Sequence, residues 1–374
     1  VTEADDLRLM RLAIALGRRN NGRTWPNPSV GAVLVEPASG RILAEAATQP
    51  GGRPHAETVA IAAAGSAARG ATLYCSLEPC AHHGRTPPCA DAIVAAGLAR
   101  VVTALEDPDP RVAGQGHARI AAAGIGLTTG LLADEAAYAH RGHFTRIREG
   151  RPSLTLKLAQ TLDGYAARLP GEERLMISGE GAGHLVHLMR AHADAILVGI
   201  ETILADDPQL DVRLPGLAGR SPLRVVLDSR LRLPLGSRLV RSAGRLPTWV
   251  VCGVLADPEA EEALNAAGIE VLRCPVDPEG RIDLPSAMAL LAARGLTRIF
   301  SEGGPTLGDA MVKAGLVDEI FVGTGSAPLG GPGHPALGPA IRSALAETFR
   351  LVSTRRIEGD TIHHYERRAC SPDS

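Results

Sequence analysis

His55-Ala56-Glu57, followed by Pro79-Cys80 and then by Pro88-Cys89, sets one imidazole, one carboxylate and two thiols within residues 55–89. Zinc takes imidazole nitrogen and thiolate sulfur in a tetrahedral shell, and a catalytic site leaves the fourth position to water. The metal lowers the pKa of that water to roughly 7, so hydroxide is available at neutral pH. Glu57 stands two residues from the imidazole, where it can carry protons without joining the metal. Together these groups are suited to attack on an electrophilic carbon.

The order His-x-Glu then Pro-Cys resembles the zinc nucleobase and nucleoside deaminases, in which a glutamate that is not a ligand moves the protons. One departure is plain. Eight residues, Ala81 to Pro88, separate the thiols instead of two, and their Pro and Gly content predicts a loop bulging from the metal site toward the substrate. Two other readings of the same residues stand beside this one. Cys80 and Cys89 could be disulfide-bonded, although six cysteines scattered through 374 residues form no framework. His82 or His83 could displace His55 as ligand. Cys75, in the apolar run 71–77, reads as a small buried residue.

Working outward, 374 residues suffice for two domains with separate cores. Apolar residues make up 45% with few aromatics, so Ala, Leu, Val and Ile must fill those cores. The formal charge is −2 from 39 basic and 41 acidic residues, with no basic run, which argues against a nucleic-acid partner. No stretch of about 18 apolar residues predicts a membrane span. The acidic start Val1–Asp6 lacks the features of a secretory signal, and with free thiols it predicts a reducing cytoplasm.

Apolar spacing predicts a helix over 7–16, strands at 30–35 and 41–47, and a helix from His55 to Ala68 with the imidazole and Glu57 in its first turn. A strand at 71–77, a helix from Cys89 to Ala96, a strand at 100–105, a helix at 115–123, a strand at 125–129 and a helix over 134–150 complete this part. Both metal-bearing segments thus open helices, whose N-termini favour thiolate. A domain boundary is expected near Arg148–Pro152, dividing the chain into 1–147 and 148–374. Beyond it strands and helices alternate again, which predicts a mostly parallel sheet.

The second part lacks a G-x-G-x-x-G fingerprint. It offers instead strand 298–301, then Glu302-Gly303-Gly304-Pro305-Thr306-Leu307 leading into a helix. Its glycines and helix N-terminus suit a phosphate or pyrophosphate. Alternation in 154–158 puts Lys157 on the face opposite the leucines, and Asp228-Ser229-Arg230 ends a buried strand, a common place for ligand contacts. His184, His187 and His192 read as surface or packing residues.

Residues of about 7 to 367 resemble the bifunctional bacterial riboflavin-biosynthesis deaminase–reductases. The similarity lies in PNPSVGAVLV, GGRPHAE, SLEPCAHHGRTPPC, ALEDPDPRVAGQG, LKLAQTLDG, TILADDPQLDVR, VVLDSR and SEGGPTLGDAMVKAGLVDEI. The resemblance implies an α/β fold: an N-terminal cytidine-deaminase-like three-layer α/β/α domain and a C-terminal dihydrofolate-reductase-like, mostly parallel α/β domain. It implies hydrolytic deamination of a phosphoribosylated diaminopyrimidinone, then NADPH-dependent reduction of the ribosyl chain to ribityl. By position, His55, Cys80 and Cys89 hold one Zn2+ per chain and Glu57 shuttles protons. Asn27, His82 and Arg85 meet the first substrate; Lys157, Arg190, Leu210, Arg213 and Glu302 meet the second. NADPH contacts fall to Ala159, Thr202, Asp206, Ser229 and the turn Gly304, Pro305, Thr306, Leu307, Gly308, Asp309 and Ala310, with Arg230 set to pair with a 2′-phosphate. A homo-oligomer, dimer or tetramer, is expected. Two departures accompany the match: Thr48 stands where the family often has His, and Met176 where it often has Trp, after a shift in 172–175. The rival class is a nucleic-acid or nucleoside zinc deaminase with a non-catalytic C-terminal ligand-binding module.

Overall fold

Thr2 and Asp5 cap each other: the Thr2 hydroxyl accepts the Asp5 N–H, and the Asp5 carboxylate accepts the Thr2 N–H. Helix α1 (Glu3–Arg18) therefore begins ahead of the apolar spacing that announces it at residue 7. The computed structural model describes residues 2–84, 87–169 and 175–368 and divides into two units, Val1–Arg151 and Pro152–Ser374.

In the first unit α1 is followed by β1 (Gly31–Val35), β2 (Ile42–Ala47), α2 (Ala56–Ala64), β3 (Thr72–Cys75), α3 (Cys89–Ala96), β4 (Arg100–Thr103), α4 (Gln115–Ala122), β5 (Gly126–Thr128) and α5 (Ala133–Glu149). The sheet runs β2-β1-β3-β4-β5. Its strand β1 is antiparallel to both neighbours, whereas β3, β4 and β5 are parallel. Side chains alternate between two cores. Ala32, Leu34, Leu73 and Val101 pack with Ala56 and Ala60 of α2, Ile93 of α3 and Ile120 of α4. Val33, Val35, Tyr74 and Val102 pack with Leu9, Met10 and Ala13 of α1 and Ala136 of α5. The unit is a three-layer α/β/α sandwich, and strands covered on both faces read as unbroken apolar runs. At the α1–β1 crossing there is no space for a side chain: a Cβ on Gly31 would overlap the Ala13 carbonyl oxygen.

The second unit comprises β6 (Ser153–Gln160), β7 (Tyr165–Ala167), α6 (Glu180–Ala191), β8 (Ala195–Gly199), α7 (Ile200–Asp206), β9 (Leu223–Leu227), α8 (Arg238–Arg241), β10 (Thr248–Gly253), α9 (Pro258–Ala266), β11 (Glu270–Cys274), α10 (Leu284–Ala293), β12 (Arg298–Ser301), α11 (Gly304–Lys313), β13 (Glu319–Thr324), β14 (His334–Pro335), α12 (Pro339–Glu347), β15 (Phe349–Ile357) and β16 (Asp360–Arg367). Its main sheet runs β11-β10-β9-β8-β12-β6-β13-β16-β15. Seven strands are parallel, β16 is antiparallel to its neighbour β13, and the edge strand β15 is antiparallel to β16, so it runs in the direction of the seven. The topology has a functional consequence. β8 leads through α7 toward β9, while its neighbour β12 leads through α11 over β6 to β13, so the chain leaves adjacent strands in opposite directions. Such a switch point opens a crevice at the carboxyl ends of the strands.

Strand β15 escapes apolar periodicity. β15 is an edge strand whose Arg350, Arg355 and Arg356 are exposed, so it carries charge where a strand signal would need alternation.

Gly31→Ala is expected to lower the urea midpoint of the first unit by an amount equivalent to about 3 kcal/mol, the upper range for forced overpacking. A midpoint unchanged within error would show that α1 can move off β1 without cost.

Candidate active sites

His55 is the N-cap of α2 and Cys89 the first residue of α3, so two helix starts bring their side chains to one place. The structure thus sets the imidazole one residue ahead of the helix rather than in its first turn. His55 Nδ1 lies 3.3 Å from Cys89 Sγ and 3.6 Å from Cys80 Sγ, and the three ligand atoms fall within 4.8 Å of one another. Zinc–sulfur and zinc–nitrogen bonds of tetrahedral geometry separate such donors by about 3.6 Å. The thiols are free. Their ionisation also points to a cation. The hydrogen bond from Cys89 draws the Cys80 thiol down to about 4, and the same shared proton pushes Cys89 up. Only a positive charge between them lets both sulfurs ionise. Glu57, in the first turn of α2, is buried, and its Oε2 has no partner among the described residues. Burial holds its carboxyl above the usual range. A ligand set of one imidazole and two thiolates beside a carboxylate with one unpartnered oxygen fits a catalytic zinc site.

Sequence reading missed the group that places Cys80. Glu78 is buried, and its Oε2 accepts the N–H groups of Asp107 at 3.1 Å and Gly114 at 3.0 Å. Its Oε1 accepts those of Gly116 at 2.8 Å and His117 at 3.2 Å. Four backbone donors, three of them at the start of α4, therefore clamp the residue two before the ligand. Gly116 must be glycine, since a Cβ would overlap the Pro79 carbonyl oxygen. The Cys80 turn is closed by Cys89 N–H on Cys80 Sγ at 3.4 Å and Ala90 N–H on the Cys80 carbonyl at 3.1 Å.

Of the other residues expected here, Asn27 donates from Nδ2 to the Gly52 carbonyl at 2.8 Å, tying its loop to the approach to His55. Thr48 is buried, and its hydroxyl accepts the Val30 N–H at 3.0 Å, so it serves the strand pairing. His82 is exposed, and His83 lies 4.0 Å from the Asp91 carboxylate rather than among the ligand atoms. Arg85 and residues 172–174 lie outside the described residues.

In the second unit four of the five expected substrate residues share one charged cluster. Glu302, just past β12, takes a paired contact from Arg190 of α6, Nε to Oε1 at 2.7 Å and Nη2 to Oε2 at 2.9 Å. The side chains are 11% and 15% exposed, so the pair is largely desolvated and costly to break. Arg190 Nη1 also donates to the Asp211 carbonyl at 2.9 Å, and the Asp211 carboxylate holds Arg213 at 2.7 Å. Lys157 feels the charges of Glu302 and Arg190, and burial lowers its pKa. Arg190 pulls the Glu302 carboxyl down against its burial. Leu210 has its side chain in the core with Ile203 and Val226, leaving its backbone for contact. His187, read from the sequence as a surface or packing residue, accepts the Arg213 N–H on Nδ1 at 3.4 Å.

The expected cofactor residues spread around the switch point. Thr202 and Asp206 belong to α7, and the N-terminus of α11 supplies Gly304, Pro305 and Thr306. Leu307 reaches β8, where a Cβ on Gly199 would touch it. Helical rotation divides the rest of that turn. Gly308 is buried against Leu156 and Ile341, and the Asp309 carboxylate accepts the Ile341 N–H at 3.0 Å to cap α12. Ala310 is exposed and Ala159 sits on β6. The Ser229 hydroxyl accepts the Ile282 N–H at 3.1 Å and keeps its proton to donate, with Arg230 exposed beside it.

Residues 152–363 match the family described as the RibD C-terminal domain, and residues 3–105 match the cytidine and deoxycytidylate deaminase zinc-binding region. The chain is 39% identical over 368 residues to the riboflavin biosynthesis protein RibD of Escherichia coli K12, covering 95% of this chain and 97% of that protein. To RibD of Aquifex aeolicus VF5 it is 38% identical over 317 residues, 85% and 86% of the two chains. The solved structure of Acinetobacter baumannii RibD superposes with a TM-score of 0.84 at 33% identity, covering 98% of this chain and 99% of that one. The Thermotoga maritima structure described as a diaminohydroxyphosphoribosylaminopyrimidine deaminase/5-amino-6-(5-phosphoribosylamino)uracil reductase gives 0.82 at 30% identity, with the same coverage.

Glu78→Gln sets an amide N–H2 against backbone donors and leaves part of the clamp unmade. It is expected to weaken zinc affinity about 10- to 100-fold, as loss of outer-shell partners does. Competition with a chromogenic chelator reads this directly, and wild-type affinity would remove the clamp from the metal site's support.

Proposed function

Because the chain belongs to the RibD family of riboflavin-biosynthesis proteins, and is a bifunctional deaminase and reductase, we propose that it acts on diaminohydroxyphosphoribosylaminopyrimidine. The first step deaminates this compound hydrolytically to the aminouracil with release of ammonia. The second reduces the ribosyl side chain of that product to ribityl with NADPH. Family membership sets aside the reading of the C-terminal half as a non-catalytic module.

We assign the deaminase step to residues 1–147 and the reductase step to 148–374. His55 Nδ1, Cys80 Sγ and Cys89 Sγ would hold zinc, and the bound metal supplies an activated water at neutral pH. Glu57 Oε2 holds the proton given up by the attacking water. It passes that proton to the pyrimidine ring nitrogen, then takes the remaining proton of the added hydroxyl and delivers it to the amino group, which departs as ammonia while the carbonyl forms. Burial of Glu57 keeps bulk water from competing for these transfers. Asn27 and His82 flank the approach to the metal, and contact with base and phosphate is assigned to Asn27, His82 and Arg85.

In the reductase step NADPH supplies the hydride, and the protein supplies orientation. Arg213, exposed and anchored by Asp211, offers its free donors to the substrate phosphate. Lys157 and Glu302 face the ribose carbon being reduced, and Arg190 holds Glu302 in place. The phosphates of NADPH lie at the start of α11, over Gly304, Pro305 and Thr306, with Leu307, Gly308, Asp309 and Ala310 forming the supporting turn. Ala159, Thr202, Asp206 and Ser229 border the cofactor, and Arg230 pairs with its 2′-phosphate. The enzyme is placed in the cytoplasm as a homo-oligomer, dimer or tetramer. Its free thiols suit a reducing compartment, and no helix among the described residues is long and apolar enough to cross a membrane. A charge of −2 and 3% aromatics disfavour nucleic acid as substrate.

The observation that carries this reading is the convergence of three zinc-type donors beside a buried carboxylate with an unpartnered oxygen. Zinc content and a two-step assay on the phosphoribosylated pyrimidine test it, following ammonia first and NADPH oxidation second. Metal-free protein that releases ammonia at the full rate would overturn it. Glu57→Gln is expected to keep its zinc and its reductase rate while ammonia release falls about 10²- to 10⁴-fold. A near-normal rate in that variant would take the proton transfers away from Glu57.

A further inference from the structure

We propose that Arg224 and Ser221 are positioning residues for the reductase step, holding from below the loop 207–213 that presents Arg213. The inference deepens the reading of Leu210 and Arg213 as substrate contacts and rests on it.

The loop is strained. Asp207 has φ +38° and Leu210 φ +52°, both in the left-handed region that side chains avoid. Such residues persist only where the surroundings over-determine them, and they gather at ligand sites. Here the surroundings can be followed residue by residue. Asp207 caps α7 through its N–H on the Ile203 carbonyl, and its carboxylate accepts the Arg238 N–H at 2.8 Å. The Gln209 carbonyl accepts Arg224 Nη1 at 3.3 Å. Leu210 is sunk in the core. The Asp211 carbonyl takes Arg190, and the Val212 N–H donates to Ser221 Oγ at 3.0 Å.

Arg224 is the unusual member of this set. It lies on the central strand β9 with 0% exposure, and no carboxylate lies within 4.0 Å of it among the described residues. Its two Nη groups donate instead to neutral oxygens, Gln209 O, Ser242 Oγ at 2.7 Å, Leu239 O at 3.0 Å and Leu246 O at 2.5 Å, while Nε has no partner among the described residues. The carboxylate whose charge reaches it is that of Asp211, the partner of Arg213. A buried guanidinium without an ion pair is a poor device for stability alone. A guanidinium that spans 209 on one side and 239–246 on the other fixes the strained turn against the sheet. Ser221 fixes the far end.

The test uses the full chain and reads reductase kcat and KM for the deaminated pyrimidine, with ammonia release as an internal control. Ser221→Ala is expected to raise KM about threefold and Arg224→Lys about tenfold, with kcat, the KM for NADPH and ammonia release unchanged. Arg213→Ala is the reference variant. If Ser221 acts through Arg213, the double variant Arg213→Ala/Ser221→Ala has the KM of Arg213→Ala alone, a non-additivity that a merely structural role does not produce. Should Arg224→Lys fail to fold, the Ser221 cycle decides. A raised KM in Arg213→Ala with none in Ser221→Ala, or effects that simply multiply in the double variant, would overturn the inference. An unchanged KM in Arg213→Ala instead removes the substrate-contact reading, and the inference falls with it.

Discussion

Two thiols and an imidazole brought within 4.8 Å in a buried space are incompatible with their own ionisation unless a cation lies among them. That constraint shapes the amino-terminal unit. A proton held between the two sulfurs lowers one thiol only by raising the other. The fold must hold the donors in this unfavourable state by other means, and it does so with backbone. The starts of α2 and α3 fix His55 and Cys89, and the Glu78 carboxylate spends its acceptor capacity on four N–H groups so that Cys80 cannot drift. The tight approach of Gly116 to Pro79 leaves that clamp no slack. Metal affinity is therefore largely prepared before any metal arrives.

The carboxy-terminal unit solves a different problem. Hydride transfer between two bound molecules asks little of any one reactive side chain and much of their mutual orientation. Accordingly it offers a chain of fixed charges, Arg190 on Glu302 and Arg213 on Asp211, beside the point where β8 and β12 send the chain in opposite directions. A largely desolvated pair such as Arg190–Glu302 contributes little net stability, yet it admits only one geometry. Rigidity of placement is what the reaction needs.

The two sites differ in how far they could be read from the sequence, and for a physical reason. His55, Glu57, Cys80 and Cys89 lie within residues 55–89, and their chemistry is in their side chains. Glu78 stood in the same motif, but its partners are backbone N–H groups at 107 and 114–117, which have no residue signature. The alternating strands and helices and the mostly parallel second sheet followed from apolar periodicity, whereas the three-layer arrangement of the first unit was implied by the family resemblance. The charged edge strand β15 did not, because an edge facing water has no reason to alternate. In the stretch 304–310, similarity marks every residue alike, whereas helical rotation turns Gly308 into the core and Asp309 toward α12. Leu210 and His187 show the reverse case, where a side chain's role depends on a loop whose path no local pattern encodes.

The long spacer between the thiols follows from the same division of labour. Elsewhere a two-residue spacing sets the sulfur positions through helical geometry. Here two local bonds do so, Cys89 N–H to Cys80 Sγ and Ala90 N–H to Cys80 O, and they are indifferent to how many residues loop out between them. Closing a longer loop costs only about 0.6 kcal/mol for each doubling of its length. The placement of the two sulfurs is thus decoupled from the length of the spacer between them, and the spacer sequence is free to vary. A deaminase scaffold can in this way change what it recognises without disturbing what it holds.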